Sequence, residues 1–220
     1  MTCAALLTLG SIVALYWYRV IRMAAKARRR TGRAANLLPP EPLGRFLRLI
    51  WGPVIVVWIT HPFISAFIKK PSFLLRPIWQ PSPAIRAGLA WSAAAVVLAA
   101  YGATAFCWKR MGKSWRMGID PDEKTPLVAF GPFAYVRHPI YALSAAMILA
   151  AALALPSPLM LAAAIIHISL LCWESAREEH YLLRTHGPDY QYYRTRVGRF
   201  IPLSFKPYKS KDEARLKRGA

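Results

Sequence analysis

Residues 139–173 read PIYALSAAMILAAALALPSPLMLAAAIIHISLLCW. Two apolar runs, Pro139 to Leu155 and Leu159 to Trp173, are separated only by Pro156-Ser157-Pro158. A bilayer's hydrocarbon core takes about 20 apolar residues of helix, or slightly fewer where aromatic or snorkelling ends flank the run. Proline suits the first turn of a helix and breaks its interior. The Pro-Ser-Pro step therefore predicts a tight hairpin between two antiparallel membrane helices.

Three more runs of this kind lie upstream. The first spans Cys3 to Val20 and ends in Tyr16, Trp17 and Tyr18, an interfacial aromatic cluster. It has no charged leader and no clear cleavage site, so it reads as a retained span rather than a signal peptide. The second spans Leu47 to Ile68 and contains Pro53 and Pro62, both candidate kinks. The third spans Ile85 to Trp108. The expected fold is all-α, a multi-pass membrane protein of about five transmembrane helices with a cytosolic C-terminal segment. Residues 1–84 would hold the first two spans and a basic loop. Residues 85–205 would form the functional core, and residues 206–220 a basic tail near anionic lipid.

Composition agrees with that reading. The 220-residue chain is 55% hydrophobic yet carries a formal net charge of +20, and its mean hydropathy is +0.27. Apolar spans with basic cytosolic loops combine these properties; a soluble domain rarely does. A nucleic-acid-binding protein would need a basic face on a soluble fold. Here the basic residues lie between long apolar runs, so no nucleic-acid partner is expected. Cys3, Cys107 and Cys172 form no disulfide framework. No histidine pair has zinc-ligand spacing, so no metal is expected.

Lysine and arginine orient the spans. Arg22, Lys26, Arg28, Arg29, Arg30, Arg33 and Arg45 follow the first span. Lys109, Arg110, Lys113, Arg116, Lys124 and Arg137 follow the third, and Arg177, Arg184, Arg194, Arg196 and Arg199 the fifth. The segment after the second span has Lys69, Lys70, Arg76 and Arg86, and the proline hairpin has none. The N-terminus is expected outside and the tail in the cytosol. A four-span alternative, with one run only re-entrant, puts a basic segment on the wrong side.

The loop after the third span is rich in glycine, proline, aromatics and both charge signs, the composition of a working loop rather than a connector. Gly112-Lys113-Ser114 is not a phosphate loop, because Cys107 stands where that motif needs glycine. No GxGxxG occurs. In Arg137-His138-Pro139-Ile140-Tyr141, Pro139 should open the fourth helix and His138 should cap it. A helix start offers free N–H groups and positive potential. Two readings stand: a cofactor pocket at the membrane edge, or an interfacial anchor with a snorkelling Arg137 and an aromatic belt.

The fifth span runs without a break signal into Glu174-Ser175-Ala176-Arg177-Glu178-Glu179. Glu174 and Glu178 share a helix face, whereas Glu178 and Glu179 point about 100° apart and should not both face one site. One would contact a ligand and the other pair with an arginine. Carboxylates just below a bilayer surface are functional candidates; the plain alternative is a solvated helix end. Beyond Gly187-Pro188, Tyr190, Tyr193 and Val197 fall on one helical face, as in an interfacial amphipathic helix.

Taken together, these residues resemble the isoprenylcysteine carboxyl methyltransferase family and its relatives, the membrane phospholipid methyltransferases. The likeness rests on Gly131-Pro132-Phe133, Arg137-His138-Pro139-Ile140-Tyr141, Glu178-Glu179, Gly187, Tyr190, Tyr193, Val197, Arg199 and Pro202 in order. It covers roughly the second half of the chain. Trp115-Arg116-Met117-Gly118 is similar to bacterial members, which implies a bacterial inner membrane. The resemblance implies an S-adenosylmethionine site. By position, Thr125, Pro126, Leu127 and Val128 would touch the cofactor, Phe133 would pack on it, His138, Pro139 and Tyr141 would line its site, and Glu178 would hold one of its polar groups.

One departure bears on the substrate. The prenylcysteine enzymes carry an arginine one turn before the first glutamate, associated with the substrate carboxylate; here that position is Glu174. An acid there repels a carboxylate and favours a cation or neutral amine. Arg177 could serve instead only by swinging round the helix. Glu174, Glu178 and Arg137 are the candidate catalytic residues. A carboxylate or thiolate acceptor needs no base, whereas an amine must lose a proton, which Glu174 or Glu178 can take. The expected acceptor is a lipid or lipophilic small molecule arriving from the bilayer. Two other functions fit a membrane helix bundle: a sterol-type reductase using NADPH, and a non-catalytic scaffold or carrier.

Overall fold

The computed structural model describes residues 2–31, 42–112, 115 and 126–209. Among them the chain forms five α-helices: α1 (Thr2–Thr31), α2 (Pro42–Phe67), α3 (Pro83–Met111), α4 (Pro139–Ala154) and α5 (Pro158–Arg194). A short 3-10 turn, Gly131–Ala134, precedes α4. No strand occurs among the described residues; a single parallel bridge joins Val136 to Gly198. The fold is all-α and multi-pass, as the apolar runs require.

Helix starts follow local chemistry. Ser82 and Ser157 cap α3 and α5 by accepting from the N–H groups of Ile85 and Met160, with Pro83 and Pro158 in the first turns. Pro53 and Pro62 both lie inside a continuous α2. The Pro156-Ser157-Pro158 turn reverses the chain between α4 and α5 as expected. It is locked from the side: the N–H of Ile78 donates to the Pro156 carbonyl and that of Leu159 to the Leu74 carbonyl.

The principal helix contacts close into a ring in the order α1, α2, α5, α4, α3 and back to α1. Leu9, Val13, Trp17, Trp58, Val97, Met147, Ile148 and Met160 fill its interior. Lipid-facing positions such as Leu15, Val56, Leu98, Leu153 and Ile165 stay exposed. This inversion of soluble habit is what a hydrocarbon solvent permits.

Four helices are long and apolar enough to cross a membrane: α1 over Thr2–Arg29, α2, α3 and α5. With 16 residues, α4 is shorter, about 24 Å against a core of about 30 Å. Its last residues line one recess with the start of α1 and the end of α2, and its first residues line another with the middle of α1, the first half of α2, the end of α3 and the middle and second half of α5. The short helix begins deeper than its neighbours end, which leaves room above it.

Ser157 is fully buried, caps α5, and lies 2.8 Å from Nε2 of the equally buried His61. Replacing Ser157 with Ala removes a cap and strands an imidazole nitrogen. The expected cost is about 1–3 kcal/mol, read as a lowered Tm in detergent micelles; an unchanged Tm would contradict this account of the hairpin.

Candidate active site

The room above α4 is a cavity of about 210 Å³, many times the ~10–15 Å³ that seats one water. Every helix contributes to its wall: Tyr16 and Trp17 from α1, Arg48 and Trp51 from α2, Trp108 from α3, Pro139 to Tyr141 and Ser144 from α4, and Glu174 and Glu178 from α5.

The start of α4 is held by a clamp. His138 is the N-cap residue with Pro139 in the first turn, and the side chain of His138 makes no capping hydrogen bond. The backbone N–H of Arg137 donates to the Gly198 carbonyl at 2.8 Å, and that of His138 to the Arg199 carbonyl at 3.0 Å. A side-chain carbon at Gly198 would strike the Ile201 carbonyl, so the chain turns this tightly only at glycine. Gly187, at φ +50°, breaks the helical geometry of α5 and redirects its last turns toward the clamp. There Tyr190, Tyr193 and Val197 form a buried cluster with Leu127 and Ala129. The hydroxyl of Tyr193 donates to the Phe133 carbonyl at 2.5 Å. The expected amphipathic face is real, but it turns inward onto the loop before α4 instead of outward onto lipid.

The adjacent glutamates divide their work. Glu179 is 3% exposed and accepts from Arg137 Nη2 at 2.9 Å and Arg199 Nη2 at 2.7 Å. Arg137 spends its other donors on the carbonyls of Arg194 and Val197. Glu178 faces the cavity and accepts from the Tyr141 hydroxyl at 2.6 Å. As their spacing on the helix required, only Glu178 of the two lines the cavity, and Glu179 is taken by the arginines. His138 lies between the two glutamates, with Nδ1 3.4 Å from Glu178 and Nε2 3.4 Å from Glu179. The opposed nitrogens of one imidazole span the gap that the helix opens. Its ring lies parallel to that of Tyr141, 5.5 Å away, and beside Phe200.

Burial alone would push the His138 pKa down, but the two glutamates outweigh it and hold the imidazole above its ordinary value.

Glu174 is buried and pairs with Arg177 at 3.1 Å, one turn on. Arg177 lies over Trp173, 4.6 Å from the ring, and does not line the cavity. At the floor, Trp51 Nε1 donates to His167 Nδ1 at 2.9 Å. Indole nitrogen is only a donor, so His167 carries its proton on Nε2 and donates it to Ser144 Oγ, also at 2.9 Å.

Among the residues predicted from the sequence, Arg137, Glu174, Glu178, Pro126, Leu127, Val128, Phe133, His138, Pro139 and Tyr141 all line this one cavity. Thr125 lies outside the described residues. Tyr16, Trp17, Arg48 and Trp51 were missed. They sit in spans without a recognised motif, and no local pattern distinguishes them from lipid-facing or interfacial side chains.

The cavity's second half comes from α3, α4 and α5, the stretch a family comparison covers. Residues 88–189 match the phospholipid methyltransferase family. The match begins in α3 and stops just short of Tyr190, so it includes the glutamates, Arg137 and the start of α4 but not α1, α2 or the clamp's Gly198 and Arg199. No curated protein and no solved structure matches the chain. The long apolar helices make this a multi-pass membrane protein, and the stretch from α3 to α5 is similar to the phospholipid methyltransferases.

Two outcomes test the geometry. Glu179→Gln leaves the buried Arg137 facing a neutral partner, while the more exposed Arg199 can turn to water. The substitution should cost about 3–5 kcal/mol, whereas Glu178→Gln, at the cavity edge, should cost much less; equal losses in thermal unfolding would contradict the division of roles. The raised His138 pKa carries a pH signature. Its stabilising contribution is complete below about pH 6.5 and is lost as pH rises through the raised folded value. A Tm profile from about pH 5.5 to about pH 8.5 should fall in that window, and His138→Gln should flatten it.

Proposed function

We propose that this chain is an integral membrane methyltransferase that uses S-adenosylmethionine to methylate a lipophilic acceptor reached from the bilayer. The observation that carries the reading is the convergence of Arg137–Tyr141, Glu174 and Glu178 on one cavity at the basic end of the bundle. Arg22, Lys26, Lys109, Arg110, Arg194 and Arg196 lie toward that end, which favours its facing the cytosol.

The lining suits the cofactor. Trp108, Trp115, Phe133 and Tyr141 offer aromatic surface for a purine and for a cation. Glu178 offers a carboxylate for an ammonium or for ribose hydroxyls. Trp17 Nε1 and the Tyr190 hydroxyl, both buried in this wall, find no partner among the described residues and suit polar ligand atoms. When bound, S-adenosylmethionine supplies a methyl group activated by a sulfonium.

The chain's own residues supply position, dryness and a proton acceptor. The clamp of Glu179, Arg137 and Arg199 fixes the start of α4, so Arg137 acts as a positioning residue with its donors committed to the protein. Tyr141 and His138 hold Glu178 in place. The aromatic walls exclude water, and holding two reactants in line supplies most of the acceleration such a transfer needs. Glu174, buried against the same cavity, favours an amine over a carboxylate acceptor and can take the amine's proton.

The test is binding and transfer by the full-length protein in lipid nanodiscs. The native chain should bind S-adenosylmethionine in preference to NADPH. Glu178→Gln should weaken that binding about tenfold to a hundredfold, and labelled methyl should pass to a lipid fraction. Preference for NADPH would give a reductase, and identical affinity in native and Glu178→Gln proteins would remove Glu178 from the site.

A further inference from the structure

On the outer side of the α1–α3 contact, at the same end as the cavity, runs a second, open groove. Arg19, Arg22, Lys26 and Arg29 of α1 line it at spacings of three and four residues, one basic stripe along the helix. All four are exposed. No acidic side chain is among the described residues that line it, and neither α1 nor α3 contains an aspartate or glutamate.

Two tyrosines sharpen the chemistry. Arg19 Nη1 donates to the Tyr101 hydroxyl oxygen at 3.4 Å, and Arg22 Nη1 donates to that of Tyr18 at 3.2 Å. Each phenol therefore accepts from an arginine, and its own proton is left to be given elsewhere. The groove consequently presents cations and hydroxyl donors. One turn deeper along α1, Leu15 also lines it, and Leu15, Tyr18 and Ile21 are each half exposed or more. Apolar surface of this size on a membrane helix faces acyl chains.

We infer that this α1–α3 groove is a binding site for the headgroup of an anionic phospholipid, the phosphate held by Arg19, Arg22 and Lys26 and the acyl chains lying along Leu15. The ligand class follows from the donor-only lining, and the lipid source from the continuity of that lining with exposed apolar surface. A free phosphate would use the cations but has nothing to place on Leu15. The inference does not rest on methyl transfer: a chain that bound no S-adenosylmethionine would pass or fail the same test.

Native mass spectrometry of the full-length protein, released from micelles doped with equal amounts of phosphatidylglycerol or phosphatidylcholine, reads the site directly. The native chain should retain phosphatidylglycerol at least about tenfold more than phosphatidylcholine. Arg19→Gln/Arg22→Gln/Lys26→Gln should lose that preference. Lys69→Gln/Lys70→Gln/Arg86→Gln, at the opposite end, should keep it. Tyr18→Phe/Tyr101→Phe preserves every charge and should weaken retention about threefold, which covers the case in which the triple variant fails to fold. Equal retention of the two lipids by the native chain would overturn the site. So would undiminished preference in the Arg19 triple variant, or displacement of the lipid by inorganic phosphate alone.

Discussion

A carboxylate shut away from water at a membrane edge needs cations around it, and Glu179 has two, Arg137 from the start of α4 and Arg199 from the C-terminal segment. Each belongs to a different part of the chain, so satisfying one buried charge draws three segments together. The cost of taking these charges out of water is several kcal/mol per ion, recovered only while every partner is in place. Arg137 then uses other donors on the carbonyls of Arg194, the last residue of α5, and of Val197 in the turn that follows. The cavity wall inherits its rigidity from this network.

Rigidity matters because the reaction proposed for the cavity asks little else of the protein. Nearby Glu178 escapes the arginines and keeps a tyrosine and an imidazole as partners, which leave it at the cavity edge. His138 joins the two carboxylates, so the group that orients the site and the group that faces the ligand are coupled through one ring. Below them, the Trp51–His167–Ser144 chain fixes a histidine tautomer in the apolar interior, where a rotating donor would otherwise be left unsatisfied.

The bundle supplies the space. Because α4 is shorter than its neighbours, the ring of helices has a recess at one end, and the loop before α4 and the last turns of α5 fold over it. Among the described residues, the same end carries Arg19, Arg22, Lys26 and Arg29 of α1 as well as Arg137 and Arg199. Those facing inward serve the clamp, and those facing outward on α1 form the groove toward lipid.

Much of this was legible in the residues. The apolar runs, the Pro156-Ser157-Pro158 turn, the helix start at Pro139 and the pairing of one of two glutamates with arginine all depend on local composition and spacing, because partition into hydrocarbon and helix capping are decided within a few turns. What no single run could reveal was how each helix is rotated against the next. Periodicity sets which residues share a face, not what that face meets. Only the closed ring put Tyr16, Arg48 and Trp51 into the cavity, chose Glu179 over Glu178 for the arginines, and turned Tyr190 and Tyr193 inward. Those outcomes depend on groups up to 116 residues apart, as Trp51 and His167 are, and on buried charges whose partners exist only once the helices have met.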